Sequence, residues 1–211
     1  METLGKLFGS IARVKIMKLF LSNEQTIFDN IEISKRAKVT PLALKKELVT
    51  LSKAGLIKKK DFYKETQIKT RKTKIKPEGI EVVKKKMSGW TLNEKFPYLI
   101  PLYNLLVNMT SFTNSSVLKK LSGAGKLKLV LVSGAFIQNS ESRVDILIVG
   151  DNLKIPSIER AIAVLESEIG KELRYVILKT EDFVYRTNVY DRLVRDVLDQ
   201  PHQKIINRLG I

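Results

Sequence analysis

The sequence contains no cysteine and only one histidine among its 211 residues. The absence of cysteine excludes disulfide bonds, thiolate metal sites and a cysteine nucleophile. His202 follows Pro201 and has no second imidazole with which to share a metal ion, so we interpret it as a surface or turn residue. We therefore expect neither a metal ion nor a cofactor in this protein.

Long apolar runs are missing as well. No stretch approaches the roughly 20 apolar residues that are needed to cross a bilayer, and the first residues lack the charged-then-apolar order of a secretory signal. We therefore expect a soluble, cytoplasmic protein. An anionic membrane surface is disfavoured as a partner, because the basic residues are spread over a patterned globular segment and do not form a tail or an amphipathic arm.

Acidic residues are scarce in the first half of the chain. Residues 1–90 contain 22 Lys and Arg against 9 Asp and Glu, a net charge of +13, whereas residues 91–211 contain 16 against 13, a net charge of +3. This asymmetry favours two domains over one. A compact, strongly basic domain is typical of proteins that bind nucleic acid through its phosphates.

A helix-turn-helix pattern runs from Asn30 to Gly55. The pattern predicts a first helix over 30–37 and a second helix that begins after Thr40, because Thr40 can accept hydrogen bonds from free N–H groups and Pro41 fits the first helical position. Gly55 supplies the left-handed residue that commonly ends a helix.

The second helix of this pattern is amphipathic. Its leucines recur at helical spacing and are expected to face the core: Leu44, Leu48 and Leu51. The residues on or beside its outer side are our candidates for contacting DNA: Lys38, Thr40, Lys45, Lys46 and Lys53. An ordinary helical hairpin with a solvated lysine face is the alternative, since charged helix faces are common.

A basic hairpin is predicted next, over residues 57–75, with its tip near Lys64-Glu65-Thr66. Its candidate phosphate contacts are Lys59, Lys60, Lys69, Arg71, Lys72 and Lys74. Residues 77–87 read as a short helix, although Lys84-Lys85-Lys86 is better interpreted as a solvated end. An apolar set over residues 11–21 predicts a central buried helix, and these three helices with the basic hairpin predict a winged helix-turn-helix domain over residues 1–88.

Residues 89–122 are predicted to form a helical linker. A strongly apolar helix is expected over 99–108, and its stripe of Leu102, Leu105, Leu106 and Met109 is too apolar for a free linker. Three partners remain open for this segment, namely the first domain, the second domain or another copy of the chain.

Residues 123–211 alternate strands and helices, which predicts a small α/β domain and, for the whole chain, an α+β multidomain fold. Strands are expected over 127–132, 143–149 and 174–178. Ser157 is expected to cap a helix that ends at Gly170, and a last helix is expected over 190–198.

Residues 127–149 resemble the core of the minimal nucleotidyltransferase domain, in which a strand ends in Gly-Ser and the next strand carries two acids one residue apart. Two such acids point to the same face of a strand and can hold divalent metal, while the Gly-Ser turn lets backbone N–H groups approach a triphosphate. Gly134 matches the glycine and Asp145 matches one acid. Ala135 and Arg143 stand where the family has serine and the other acid.

These departures argue against catalysis. A guanidinium at the position of the missing carboxylate repels Mg²⁺ and pairs with the remaining acid, so we expect no catalytic residues and leave Asp145 as the residual candidate. Asp145 is interpreted as a partner of Arg143 or as a loop cap, and a residual nucleotide or metal contact is the alternative. Ser133, Gly134 and Asp145 are weak candidates for binding a nucleotide through the loop.

Taken together, the motifs resemble prokaryotic transcriptional regulators in which a winged helix of the ArsR-like type is fused to a minimal nucleotidyltransferase domain. The matching segments are residues 7–10, 13–16, 51–58, 92–97, 144–151, 190–192 and 207–211. The resemblance implies a homodimer that binds double-stranded DNA and regulates transcription. The second domain is then an inactive sensor or assembly module, with a nucleotide or small molecule as a candidate effector, and an active divergent nucleotidyltransferase is the alternative.

Overall fold

The computed structural model describes residues 1–70, 79–109, 113–139 and 141–211. Within this part of the chain the backbone of residues 66–70 and 79–83 is described, but their side chains are not. The described residues form an α+β protein with two sheets. None of the described helices is long and apolar enough to traverse a bilayer.

The first half contains four helices, a hairpin and a further helix. The elements are α1 (Glu2–Leu7), α2 (Ile11–Leu21), α3 (Asn30–Ala37), α4 (Pro41–Lys53), β1 (Ile57–Thr70), β2 (Gly79–Leu92) and α5 (Leu99–Tyr103), the last continued by a π-helical turn (Asn104–Asn108). The predicted helix over 99–108 is therefore confirmed, and its second part has π geometry.

Local capping explains where these helices begin. The side chain of Asp29 accepts a hydrogen bond from the backbone N–H of Glu32 at 2.8 Å and starts α3. The side chain of Thr40 accepts one from the backbone N–H of Ala43 at 3.3 Å, and Pro41 occupies the first turn of α4. Gly55 follows α4 with a φ of 82°. The predicted bounds of these two helices are confirmed.

The hairpin is longer than the sequence indicated. Strands β1 and β2 pair in antiparallel register from Ile57↔Leu92 to Thr70↔Gly79, so the tip predicted at residues 64–66 is wrong, because these residues pair with residues 83–85. The short helix predicted over 77–87 is wrong, because the described part of that segment belongs to β2. Pairing along the whole length of β1 outweighs the weak helix preference of the lysine run.

The second half is built around a four-stranded sheet. Its elements are α6 (Asn114–Lys120), β3 (Lys126–Val132), β4 (Ile146–Asp151), α7 (Ile155–Ile169), β5 (Tyr175–Lys179), α8 (Thr180–Asn188), α9 (Arg192–Asp199) and β6 (Gln203–Asn207), with a 3₁₀ turn (Gly134–Phe136) after β3. The strand order is β5-β4-β3-β6, in which only β4 and β5 are parallel.

Some details of this half differ from expectation. Ser157 does not cap α7, since the helix begins at Ile155 and Pro156 lies in its first turn. Helix α8 and strand β6 were not predicted. The last helix begins after Asp191, whose side chain caps it, and not at Tyr190. Gly170 ends α7 with a φ of 89°, as expected.

Buried apolar side chains form one cluster in the first half and two in the second. The first cluster joins α2, α3, α4, the base of the hairpin and Leu106. In the second half, the sheet buries one face against α6 and α7 and the other against α8 and α9. Successive residues of β3 alternate between the two faces, with Val130 on the first and Leu131 on the second.

The two halves contact each other through α2 and α7. The side chain of Lys15 donates to Ser167 Oγ at 3.1 Å, and Asn23 Nδ2 donates to the carbonyl of Gly170 at 2.8 Å. Gly170 is required at this contact, because a Cβ there would lie 2.5 Å from the carbonyl oxygen of Lys18.

Candidate nucleic-acid interface and adjoining cleft

Helix α4 has one buried side and one basic side. Its core side is formed by Leu44, Leu48 and Leu51, which are all buried as expected. Lys45, Lys46 and Lys53 are exposed on its other faces. Helical periodicity therefore brings these three candidate DNA contacts to the outside of one helix.

A salt bridge fixes α4 against α2. The carboxylate of Glu47 is buried and accepts a hydrogen bond from Arg13 Nε at 2.7 Å. Arg13 Nη1 also donates to the carbonyl of Phe8 at 2.8 Å. The sequence analysis missed this pair, although an acid among the core-facing positions of α4 was a signal that a buried cation would meet it.

Lys38 and Thr40 lie at the turn before α4. Lys38 has a left-handed backbone with a φ of 50°, and the Thr40 hydroxyl is used to cap α4. Both residues line a cleft that also contains Lys171 and Glu172 from the second half. The structure therefore does not place Lys38 beside the lysines on the outer face of α4.

The base of the hairpin is basic and is anchored by the only tryptophan. Lys58, Lys59 and Lys60 are exposed, and Lys59 Nζ lies 5.4 Å from the centre of the Trp90 ring. Trp90 Nε1 donates to Asn30 Oδ1 at 3.0 Å. The hairpin base is thus held beside the beginning of α3, which the sequence analysis did not predict.

The outer part of the hairpin is only partly described. The backbone of Lys69 lies in β1, but its side chain is outside the description, and Arg71, Lys72 and Lys74 lie outside the described residues. Lys64 is not available as a free cation, because its ammonium group donates to Asp29 Oδ2 at 2.6 Å. This hydrogen bond lowers the pKa of the Asp29 carboxyl group.

The Gly134 loop in the second half follows β3 directly. Ser133 is buried, and its hydroxyl donates to the carbonyl of Val144. Gly134 has a φ of 51°, and a Cβ at this position would lie 2.0 Å from Asp145 Oδ1. Glycine is therefore required because the loop closes tightly over the Asp145 carboxylate.

Asp145 is 2 % exposed and accepts hydrogen bonds on both carboxylate oxygens. Oδ1 accepts from the backbone N–H of Ala135 at 2.8 Å, and Oδ2 accepts from the backbone N–H of Arg174 at 2.8 Å. The guanidinium of Arg174 adds a contact from Nε to Oδ2 at 3.2 Å. These donors hold the Gly134 loop against the beginning of β5.

The expected pairing of Asp145 with Arg143 is wrong. Arg143 precedes β4 and instead lies 3.3 Å from Asp196 of α9. The interpretation of Asp145 as a loop cap agrees with the hydrogen bond that its carboxylate accepts from the backbone N–H of Ala135. Arg174 was missed as the partner of Asp145, although the sequence places this cation at the start of the third predicted strand. Among the described residues, no group of three His, Cys, Asp or Glu side chains could hold a metal ion.

A cleft of about 250 Å³ lies between the two halves. The Gly134 loop and Asp145 form one wall, Lys18 of α2 forms another, and Lys171 and Arg174 add positive charge. The π-helical turn at 104–108 closes it from a third side. Among the described residues that line it, three are cations, namely Lys18, Lys171 and Arg174, and one is an anion, Asp145.

Lys18 is the most deeply buried cation of this cleft. Its ammonium group donates to the carbonyl of Glu168 at 3.0 Å. Burial lowers the pKa of Lys18 to about 8, and the nearby Glu168 carboxylate opposes this shift. A buried lysine in an apolar helix was visible in the sequence, but its position at the junction of the two halves was not.

Comparisons of the chain with protein-family models, with curated proteins and with solved structures found no match. The assignment of a function therefore rests on the residues and geometry described above.

Proposed function

We propose that this protein is a transcriptional regulator of the winged-helix type that binds double-stranded DNA. In this proposal residues 1–88 form the DNA-binding domain, residues 89–122 form a helical linker, and residues 123–211 form a degenerate nucleotidyltransferase-like domain. The regulator acts as a homodimer, so that two copies of α4 meet successive turns of the duplex.

The observation that carries this proposal is the exposed basic side of α4. Lys45, Lys46 and Lys53 face outward on a helix whose opposite side is buried. The helix is held rigidly by the Arg13–Glu47 pair, as a reading helix must be. The exposed lysines at 58–60 extend the positive charge along the base of the hairpin, where they can contact phosphates.

The test is duplex binding as a function of salt concentration. Each lysine that neutralises a phosphate contributes about 0.9 to the slope of log affinity against log salt. The double variant Lys45→Ala/Lys46→Ala should therefore bind more weakly, with a slope that is smaller by roughly two for each protomer on the duplex. Unchanged affinity and slope would contradict the placement of α4 on DNA.

A matched control is available in the second half. Lys119 and Lys179 are exposed, so Lys119→Ala/Lys179→Ala removes the same charge far from α4. This control should retain the slope of the parent protein. An equal loss in both variants would mean that net charge alone drives the binding.

The cleft between the halves supports a second element of the proposal, namely that the second domain is a sensor. Lys18 belongs to α2, which carries the Arg13 anchor of α4, whereas Arg174 and the Gly134 loop belong to the other half. An anionic effector in this cleft would contact both halves at once. Calorimetry with nucleoside mono-, di- and triphosphates tests this, and silence across the panel would favour a pure assembly role.

The alternative of an active nucleotidyltransferase receives no support from the Asp145 environment. Its carboxylate already accepts from two backbone N–H groups and from the Arg174 guanidinium. A metal ion would have to displace these donors and overcome the repulsion of the guanidinium.

A further inference from the structure

The outward face of α4 carries exposed apolar side chains as well as lysines. Leu42 is 83 % exposed and Val49 is 49 % exposed. At 3.6 residues per turn, Leu42, Val49 and Lys53 lie within about 40° of one another around the helix. Lys45 and Lys46 lie about 60° and 40° to either side of Leu42. The face that points away from the core therefore has Leu42, Val49 and Lys53 near its centre line and Lys45 and Lys46 on its two flanks.

We infer that Leu42 and Val49 are specificity-determining residues that contact thymine methyl groups in the DNA major groove. This inference rests on the proposed function. The floor of the major groove presents the thymine C5-methyl group, and its edges are lined by phosphates. A face that presents two apolar side chains beside lysines is complementary to that arrangement in both polarity and charge.

The composition of the face supports this mode of reading. Arginine and lysine usually recognise guanine through paired hydrogen bonds, and asparagine and glutamine recognise adenine; α4 contains lysine but no arginine, asparagine or glutamine. Lysine can reach phosphates or guanine, but it cannot detect a methyl group. Leucine and valine are the side chains on this face that can distinguish thymine from the other bases.

The spacing of the two apolar residues also fits the duplex. Leu42 and Val49 are seven positions apart in α4, which corresponds to about 10.5 Å along the helix axis. A rise of about 3.4 Å per base pair makes this distance about three base-pair steps. The protein should therefore favour DNA sites that present thymines about three base-pair steps apart in the major groove that α4 contacts.

A protein ligand is the competing occupant of this surface. An apolar groove lined by Ile31, Pro41 and Trp90 adjoins Val49, and Ile31 is 79 % exposed. The lysines at 45, 46 and 53 on this face and those at 58–60 on the hairpin favour a polyanion that meets them all, which DNA provides. The test below separates the two occupants.

The experiment compares two duplexes of equal length, one of alternating adenine and thymine and one in which uracil replaces every thymine. The two differ only by the methyl group in the major groove. Burial of one methyl group is worth about a threefold to fivefold gain in affinity, so two contacts predict roughly tenfold tighter binding of the thymine duplex for each α4 that engages it. A second pair, with cytosine or 5-methylcytosine opposite guanine, tests the methyl group in another base.

Variants assign the effect to the two side chains. Leu42→Ala and Val49→Ala should each reduce the preference for thymine over uracil about threefold for each bound protomer while leaving the salt slope unchanged. Both side chains are exposed, so these variants are expected to fold normally. Lys45→Ala/Lys46→Ala should do the reverse, lowering the salt slope while keeping the thymine preference.

Failure of this inference can be distinguished from failure of the proposed function. Equal affinity for the two duplexes, together with a normal salt slope, overturns the inference and leaves the proposed function standing. A thymine preference that persists in Leu42→Ala and Val49→Ala also overturns it, because the preference would then arise elsewhere. Absence of binding to either duplex at low salt overturns the proposed function and the inference together.

Discussion

The Nε atom of Arg13 lies 2.7 Å from the Glu47 carboxylate and joins the buried side of α4 to α2. Glu47 is one of the few charged side chains in the core of the first half, and its partner is only partly exposed. The position of the proposed reading helix therefore depends on an ion pair as well as on leucine packing.

Replacing Glu47 by alanine should destabilise the protein. The change leaves the Arg13 guanidinium without its carboxylate and opens space beneath α4, so we expect the free energy of unfolding to fall by about 1–3 kcal/mol. Urea denaturation followed by circular dichroism measures this loss. Glu32→Ala, which removes an accessible partner of Arg36, is the matched control and should cost about 0.5 kcal/mol or less. An equal loss in the free energy of unfolding for both variants would mean that the Arg13–Glu47 pair stabilises the protein no more than the accessible Glu32–Arg36 pair does.

Incubation with labelled nucleoside triphosphates and Mg²⁺ or Mn²⁺ should give no transfer of label to nucleic acid or protein. The reason is that Asp145 is occupied by the N–H groups of Ala135 and Arg174 and by the Arg174 guanidinium. Reproducible transfer that disappears in Asp145→Asn would overturn this interpretation. In the absence of activity, Asp145→Asn should still lower the free energy of unfolding by about 1–3 kcal/mol, because a hydrogen-bonded charge is lost.

The stability of the protein should rise with pH above pH 8 in a manner that depends on Lys18. Its pKa is lowered from 10.5 to about 8 in the folded chain, so between these values the unfolded chain binds more protons than the folded one. The penalty for burying the charged form is full below pH 8 and disappears as the pH approaches 10.5. Each pKa unit corresponds to about 1.4 kcal/mol.

Denaturation curves at several pH values between 7 and 10.5 measure this effect. Lys18→Met keeps the length of the side chain but removes the titration, so the difference in stability between the parent protein and this variant should shrink or reverse as the pH rises. A difference that is constant with pH would show that Lys18 titrates normally. Glu168 retains its contact with Lys120 at 3.2 Å in the variant.

Gly170→Ala should disturb the contact between the two halves. The residue has a φ of 89°, and an added Cβ would meet the backbone of Lys18 at 2.5 Å. Gly55→Ala is the matched control, because Gly55 also follows a helix with a φ of 82°, but its added Cβ meets no described atom within 4 Å. We expect about 1–2 kcal/mol for the conformational cost that both variants share, and a larger loss for Gly170→Ala alone. Thermal unfolding measures the difference, and equal losses would contradict the tight contact.

The sequence predicted the helix-turn-helix well because its signals are local. Thr40 and Pro41 mark the start of α4, and the leucine spacing identifies the buried side without knowledge of any other element. The length of the hairpin was not predictable in the same way. Strand β2 contains Lys84-Lys85-Lys86, which reads equally well as a helix end, and only its pairing with β1 makes it a strand.

In the candidate site of the second half, too, the features set by local sequence were predicted and those set by tertiary pairing were not. Gly134 and Asp145 were found because their spacing resembles a known motif. The partner of Asp145 could not be identified, because Arg174 lies 29 residues away and meets it only when β5 pairs with β4. The cleft beside Lys18 also depends on how α2 packs against the second half, and no local pattern encodes that contact.

Lysine-specific chemical labelling, read by mass spectrometry with and without an excess of duplex DNA, tests the central claim most directly. DNA should protect Lys45, Lys46, Lys53, Lys59 and Lys60 from the reagent, because these exposed side chains form the proposed interface. Lys119 and Lys179 should react at an unchanged rate. Protection of the lysines of the second half, with undiminished labelling of those on α4, would contradict the account.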